Sequence, residues 1–183
     1  MAFHPDAYGP EVSAILALDG NGERLMPLVS GRCSSPEALE ALNAASLATL
    51  FPSARAPEAA LAGLYAYFSC FEEAHTIAQE IETAEGSYWH GILHRQEPDA
   101  GNASYWFSRT GPHAIFPELR NAAAALGLGL GARWDPFRFI DYCEQARRRP
   151  GSAEELLALR VQLAEWQLLF HYCAAAAPAS VRA

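Results

Sequence analysis

Helix-start signals recur along this chain, and they constrain its fold more than any other feature. Ser35-Pro36, Pro57, Pro117 and Asp135-Pro136 each stand at the head of a stretch with helical spacing. A polar N-cap accepts one of the unpaired N–H groups of a first turn, and proline is tolerated there because its missing N–H has no helical partner. One helix is expected from Pro36 through ALEALNAASLATLF to Pro52. Another opens at Pro57, is striped by Leu61, Leu64, Tyr65, Phe68 and Phe71, and reaches about Ile81, perforce with room for a break. Gly86-Ser87 restarts the chain, Pro117 begins ELRNAAAALG, and Asp135 caps FRFIDYCEQARRR.

The last helix is the most strongly written. Ser152 and Glu155 have capping-box spacing, in which each side chain answers the other residue's backbone N–H. Behind them Leu156, Leu159, Leu163, Trp166 and Phe170 share one stripe. In the first thirty residues, SAILAL and ERLMPLV flank DGNG as a short hairpin would, but Pro27 inside the second arm would remove a ladder hydrogen bond. A short helix and a loop are preferred there. The expected fold is therefore all-α: a single-domain multi-helix bundle with short connections over residues 1–173, followed by a disordered tail at 174–183.

With 183 residues and 51% hydrophobic content, the chain can bury one sizeable core. A net charge of -8 argues against nucleic acid, because the cationic surface that drives counterion release is missing. Arg147, Arg148 and Arg149 are accounted for by the negative end of a helix dipole. No basic flank precedes an apolar core at the N-terminus and no window reaches the ~18 apolar residues of a membrane span, so a cytoplasmic protein without a membrane partner is expected. Cys33, Cys70, Cys143 and Cys173 form no CxxC pair and read as buried reduced thiols.

The candidate chemistry lies between Ser87 and Phe116, which holds three of the six histidines and two of the four tryptophans. On a helix from Tyr88 to Glu97, steps of 100° put His90, His94 and Glu97 within an arc of ~60°. Pro98 ends that helix. After Pro98-Asp99-Ala100-Gly101 a second short helix starts near Asn102, capped by Asp99 or Asn102, with Asn102, Tyr105, Trp106 and Arg109 on one face. If the two helices pack antiparallel, the histidine edge faces Tyr105 and Arg109 across a cleft, with His113 at its rim.

The pattern W-H-x-x-x-H-R-x-E-x-D-x-x-N-A-x-Y-W-F-x-R-x-G-x-H, together with WDPFRFIDYCEQA and LAEWQLLFHYC downstream, resembles an uncharacterised, mainly bacterial family of all-helical proteins. The resemblance runs from about Ala60 to Cys173. It implies a helical fold and that Trp89, His90, His94, Arg95, Glu97, Asp99, Asn102, Tyr105, Trp106 and Arg109 form a unit, but it brings no activity or cofactor. Gln96 stands where the family's HRREPD wording has a basic residue, which removes that position as an anion ligand.

Three chemistries fit these residues. A divalent metal takes His90, His94 and Glu97, with His75, His113 or Asp99 completing the shell. Alternatively, His90, His94, Glu97 and Asp99 supply a metal-free acid and base for a small polar or anionic molecule. Arg95 or Arg109 then holds the anion, and Trp89, Asn102, Tyr105, Trp106 and His113 line the cleft. In the third reading the same polar groups form a structural network inside a helical interaction protein. Outside the stretch, Glu165 is expected to be partly exposed. The Gly127, Gly129, Gly131 series follows a helix rather than a strand, so it reads as a helix stop, not a phosphate loop.

Overall fold

The computed structural model describes residues 3–176. Among them are ten α-helices and no named strand: α1 (Pro10–Leu16), α2 (Pro36–Ala44), α3 (Leu47–Leu50), α4 (Pro57–Tyr67), α5 (Phe71–Glu80), α6 (Ala84–Gln96), α7 (Ala100–Thr110), α8 (Phe116–Leu126), α9 (Pro136–Ala146) and α10 (Ala153–Ala174). The chain is thus an all-α, single-domain bundle. None of the described helices is long and apolar enough to cross a membrane.

The punctuation works as read at most starts. Ser35 accepts from Ala38 N–H at 3.1 Å, and Asp135 accepts from the N–H groups of Phe137 and Arg138 at 3.0 and 3.2 Å. Gly127, at φ 104°, ends α8 in the left-handed conformation that glycine adopts without a Cβ clash. In the first thirty residues short helical turns and α1 precede an irregular segment; no hairpin forms among the described residues.

Four boundaries differ. The single helix expected from Pro36 to Pro52 divides at Ala45, because Ser46 caps a separate turn by accepting from Thr49 N–H at 3.2 Å. The stripe from Pro57 breaks where Ser69 takes φ 57°. Helix α6 begins at Ala84 under a Thr83 cap, so Gly86-Ser87 lies inside its first turn rather than before it. At α10, Ser152 caps Glu155 as expected, but the Glu155 carboxylate accepts from Gly151 N–H at 2.6 Å instead of from Ser152.

The packing centres on α6, whose residues from Gly86 to Gln96 are all buried. It lies against α7, α5 and α4, while α10 spans α4, α8 and α9. Two glycines permit these close approaches. A Cβ on Gly63 of α4 would stand 2.7 Å from the Trp89 ring, and one on Gly91 of α6 would stand 2.9 Å from the Phe107 ring. At α10, Trp166 and Phe170 stack at 5.0 Å, whereas Leu156, placed on the same stripe by spacing, is 40% exposed. The end of the chain is more ordered than expected up to its last described residues. Ala176 pairs with Ala54, and Arg55 N–H donates to Ala175 at 2.9 Å; the rest of the expected tail, 177–183, lies outside the described residues.

The cysteines need a correction. Cys33 and Cys70 are joined in a disulfide, while Cys143 and Cys173 are free and buried. Sequence spacing hid this because the pair is brought together by tertiary contact: Ser34 N–H donates to Phe68 carbonyl at 2.7 Å, laying the loop before α2 over the α4–α5 break. Such bridges are uncommon in reducing compartments, so the pairing bears against the expectation of four reduced thiols.

Candidate metal centre

Polar groups leave α6 on two edges, and they meet different surroundings. On one edge, His90 and His94 stack with ring centroids 4.8 Å apart, as residues one turn apart on a helix can. Helix α5 lies alongside and delivers His75. Its ring is set edge-on to both, at 4.4 Å from His90 and 5.3 Å from His94. His75 Nε2 and His90 Nε2 are 2.9 Å apart, and one ligand atom from each of His75, His90 and His94 falls within 4.8 Å of the others.

The rings are held from behind. His94 Nδ1 and Glu97 Oε2 are 3.0 Å apart, which leaves Nε2 as the second nitrogen of His94. Trp106 stacks on His90 at 4.0 Å, and Phe71 stacks on His75 at 5.7 Å. His90 is buried and its pKa is pushed down to about 4, first by desolvation and then by the neighbouring His75 and His94. Its ring is therefore neutral near pH 7, with a lone pair available. Because His75 is only half-buried and the Glu97 side chain is 41% exposed, the cluster sits at the edge of the bundle rather than at its centre.

The other edge of α6 is sealed. Arg95 is 1% exposed and donates to Glu165 Oε2 at 2.5 Å; Glu165, on α10, is fully buried. Tyr88 donates to Glu165 Oε1 at 3.1 Å, and burial together with that carboxylate pushes the phenol well above its ordinary value. Gln162 joins the same group, its amide donating to Met26 carbonyl at 2.9 Å, and the Arg95 guanidinium lies 4.6 Å from the centre of the Phe139 ring. Burial of Glu165 corrects the expectation of partial exposure. The cause is its place on the inward side of α10, one residue before Trp166, opposite the Arg95 guanidinium of α6.

The residues singled out in sequence therefore go to different places. His90, His94 and Glu97 come together, with His75 added from α5 and Trp106 from α7. Trp89 fills the core against Gly63, and Arg95 enters the sealed network. Asp99 caps α7, accepting from Asn102 N–H at 3.0 Å and from the Asn102 amide at 2.7 Å. Tyr105 and Arg109 lie exposed on the outer face of α7, the guanidinium 5.5 Å from the Trp106 ring centre. They do not confront the histidines because Ala103, Phe107 and Thr110 take the buried side of that helix. His113 turns elsewhere, toward Glu85 and the Tyr172 ring.

Spacing alone did not reveal Gln162, and it offered Glu165 only as a carboxylate expected to be partly exposed. Their one visible signal is that both fall among the buried apolar positions of α10, where unpaired polar groups are costly. Comparisons with protein-family models, curated proteins and solved structures return no match.

Proposed function

We propose that this protein binds a divalent transition-metal ion through His75, His90 and His94. The observation that carries this reading is the convergence of three imidazoles from two helices, with ligand atoms within 4.8 Å of one another. Three further features support it. His90 is held neutral, so no proton competes for its lone pair. Glu97 at His94 Nδ1 is the carboxylate–histidine arrangement that fixes tautomer and ring direction in metal sites. Trp106 and Phe71 cover two of the rings.

Imidazole donors suit zinc, copper, iron and nickel, and three neutral histidines form a known donor set of catalytic zinc. Structural zinc sites close the fourth position with protein; a three-histidine set leaves it for water, whose pKa zinc lowers to about 7. The chemistry in reach is metal-activated water, and the same position accepts a small polar or anionic ligand. In this reading Glu97 acts behind His94 rather than on the ion.

Without an ion, the 2.9 Å contact between His75 and His90 is an ordinary hydrogen bond, with one ring carrying the proton. Cobalt(II) separates the two cases. Added to untagged apo protein, it is expected to give visible d–d bands that saturate at one equivalent, and His75→Ala should abolish them. Bands absent from the wild type, or unchanged in His75→Ala, overturn the proposal.

A further inference from the structure

A cleft of about 730 Å³ lies away from the histidine cluster, between the end of α7, the start of α8 and the loop entering α9. That is within the ~300–1,000 Å³ of small-molecule sites. We propose that it binds a small carboxylate with an aromatic or comparably apolar body. The site shares no residue with the proposed metal centre and does not depend on it.

A buried indole nitrogen and two arginines carry the inference. Trp134 and His113 line the cleft, are 6% and 7% exposed, and have no hydrogen-bond partner for Trp134 Nε1 or His113 Nε2. Ile115 N–H donates to His113 Nδ1 at 3.4 Å, so the neutral ring carries its proton on Nε2. Glu85 Oε1 is 3.7 Å from Nε2, an electrostatic contact too long for a hydrogen bond. The Nε2 proton of His113 faces the Glu85 carboxylate, so Trp134 Nε1 is the buried donor left unanswered in the cleft, at a cost of about 1–3 kcal/mol.

The rest of the lining selects for an anion. Arg120 and Arg133 are its charged residues, and among the described residues lining the cleft none is acidic, in a chain whose net charge is -8. Arg120 Nε donates to Gly131 carbonyl at 3.4 Å, tying the loop that carries Arg133 to α8. Phe116 and Phe137 supply apolar wall, and Phe137 is 42% exposed. The indole N–H and a guanidinium fork match a planar carboxylate, and the walls match a flat apolar body.

The test uses 2-naphthoate and its uncharged isostere 2-naphthamide, read by the indole N–H resonances of ¹⁵N-labelled protein. The Trp134 signal is assigned by its loss in Trp134→Phe. Naphthoate is expected to shift the Trp134 resonance saturably. The amide should bind about tenfold more weakly or worse, the factor expected for one lost charge-assisted hydrogen bond, and so should Arg133→Gln with naphthoate. Unchanged positions of the other indole resonances in Arg133→Gln show that the fold is kept. No saturable shift at Trp134, equal affinity for the amide, or full affinity in an Arg120→Gln/Arg133→Gln double variant overturns the proposal.

Discussion

The two edges of α6 make opposite use of the same kind of residue. On the inner edge, Arg95 and Tyr88 converge on Glu165, and a cation, an anion and a phenol bind one another out of water. On the outer edge, His75, His90 and His94 converge on each other, and three groups of the same character share one small space with a single carboxylate behind them. The first arrangement pairs a cation with an anion and holds α6 to α10, although Arg95 Nε and Nη1 keep no partner. The second brings three imidazoles together, and in the proposed reading an ion joins them. Burial of polar groups is thus no guide to function by itself.

The largest effect that separates the edges belongs to the ion pair. Arg95→Met leaves the Glu165 carboxylate buried without its cation and should cost about 3–5 kcal/mol by chemical denaturation. Arg95→Met combined with Glu165→Leu should recover most of that loss, because well-packed apolar pairs replace buried ion pairs at little cost. A single-variant loss below ~1 kcal/mol breaks the description of a sealed edge.

The second effect falls on the outer edge. Glu97→Gln should weaken zinc binding about 10- to 100-fold, the usual result of removing a carboxylate behind a ligating histidine. Stability of the apo protein should change by no more than ~0.5 kcal/mol, since the Glu97 side chain is partly exposed. Equal losses of metal affinity and apo stability would make Glu97 a structural residue.

The smallest effect is a pH dependence of the apo protein. His90 has its folded pKa pushed down to about 4, whereas in the unfolded chain it returns to about 6.5. The folded state therefore binds fewer protons. Stability from this group is full above pH ~6.5 and is lost as pH falls from there toward 4. On the inner edge the Tyr88 phenol is pushed upward, away from that window. Denaturation midpoints at pH 7 and pH 5 should diverge in the wild type and less so in His90→Gln, where His113, whose pKa burial also lowers, keeps part of the difference; persistence of the full difference in that variant assigns it to other groups.

Much of the fold was legible because its signals are local. A capping serine or aspartate and a proline at the first turn report on their own helix, and they placed the starts of α2, α9 and α10 within a residue or two. The breaks at Ala45 and Ser69 were less visible, since the apolar spacing continues across them and tertiary packing decides where it is interrupted. In the site, His90, His94 and Glu97 could be grouped from one helix alone. His75 could be named only as a candidate, because its approach depends on how α5 lies against α6. The Arg95–Glu165 pair and the Cys33–Cys70 bridge span 70 and 37 residues, distances over which spacing carries no geometric information.

The central claim is that the outer edge of α6 is an incomplete set awaiting an ion. Calorimetric titration of zinc into untagged apo protein tests it most directly. The account predicts one saturable site in the wild type, about 10- to 100-fold weaker binding in Glu97→Gln, and no site in His75→Ala or His90→Ala. Absence of stoichiometric binding in the wild type, or binding that survives both histidine substitutions, would contradict it.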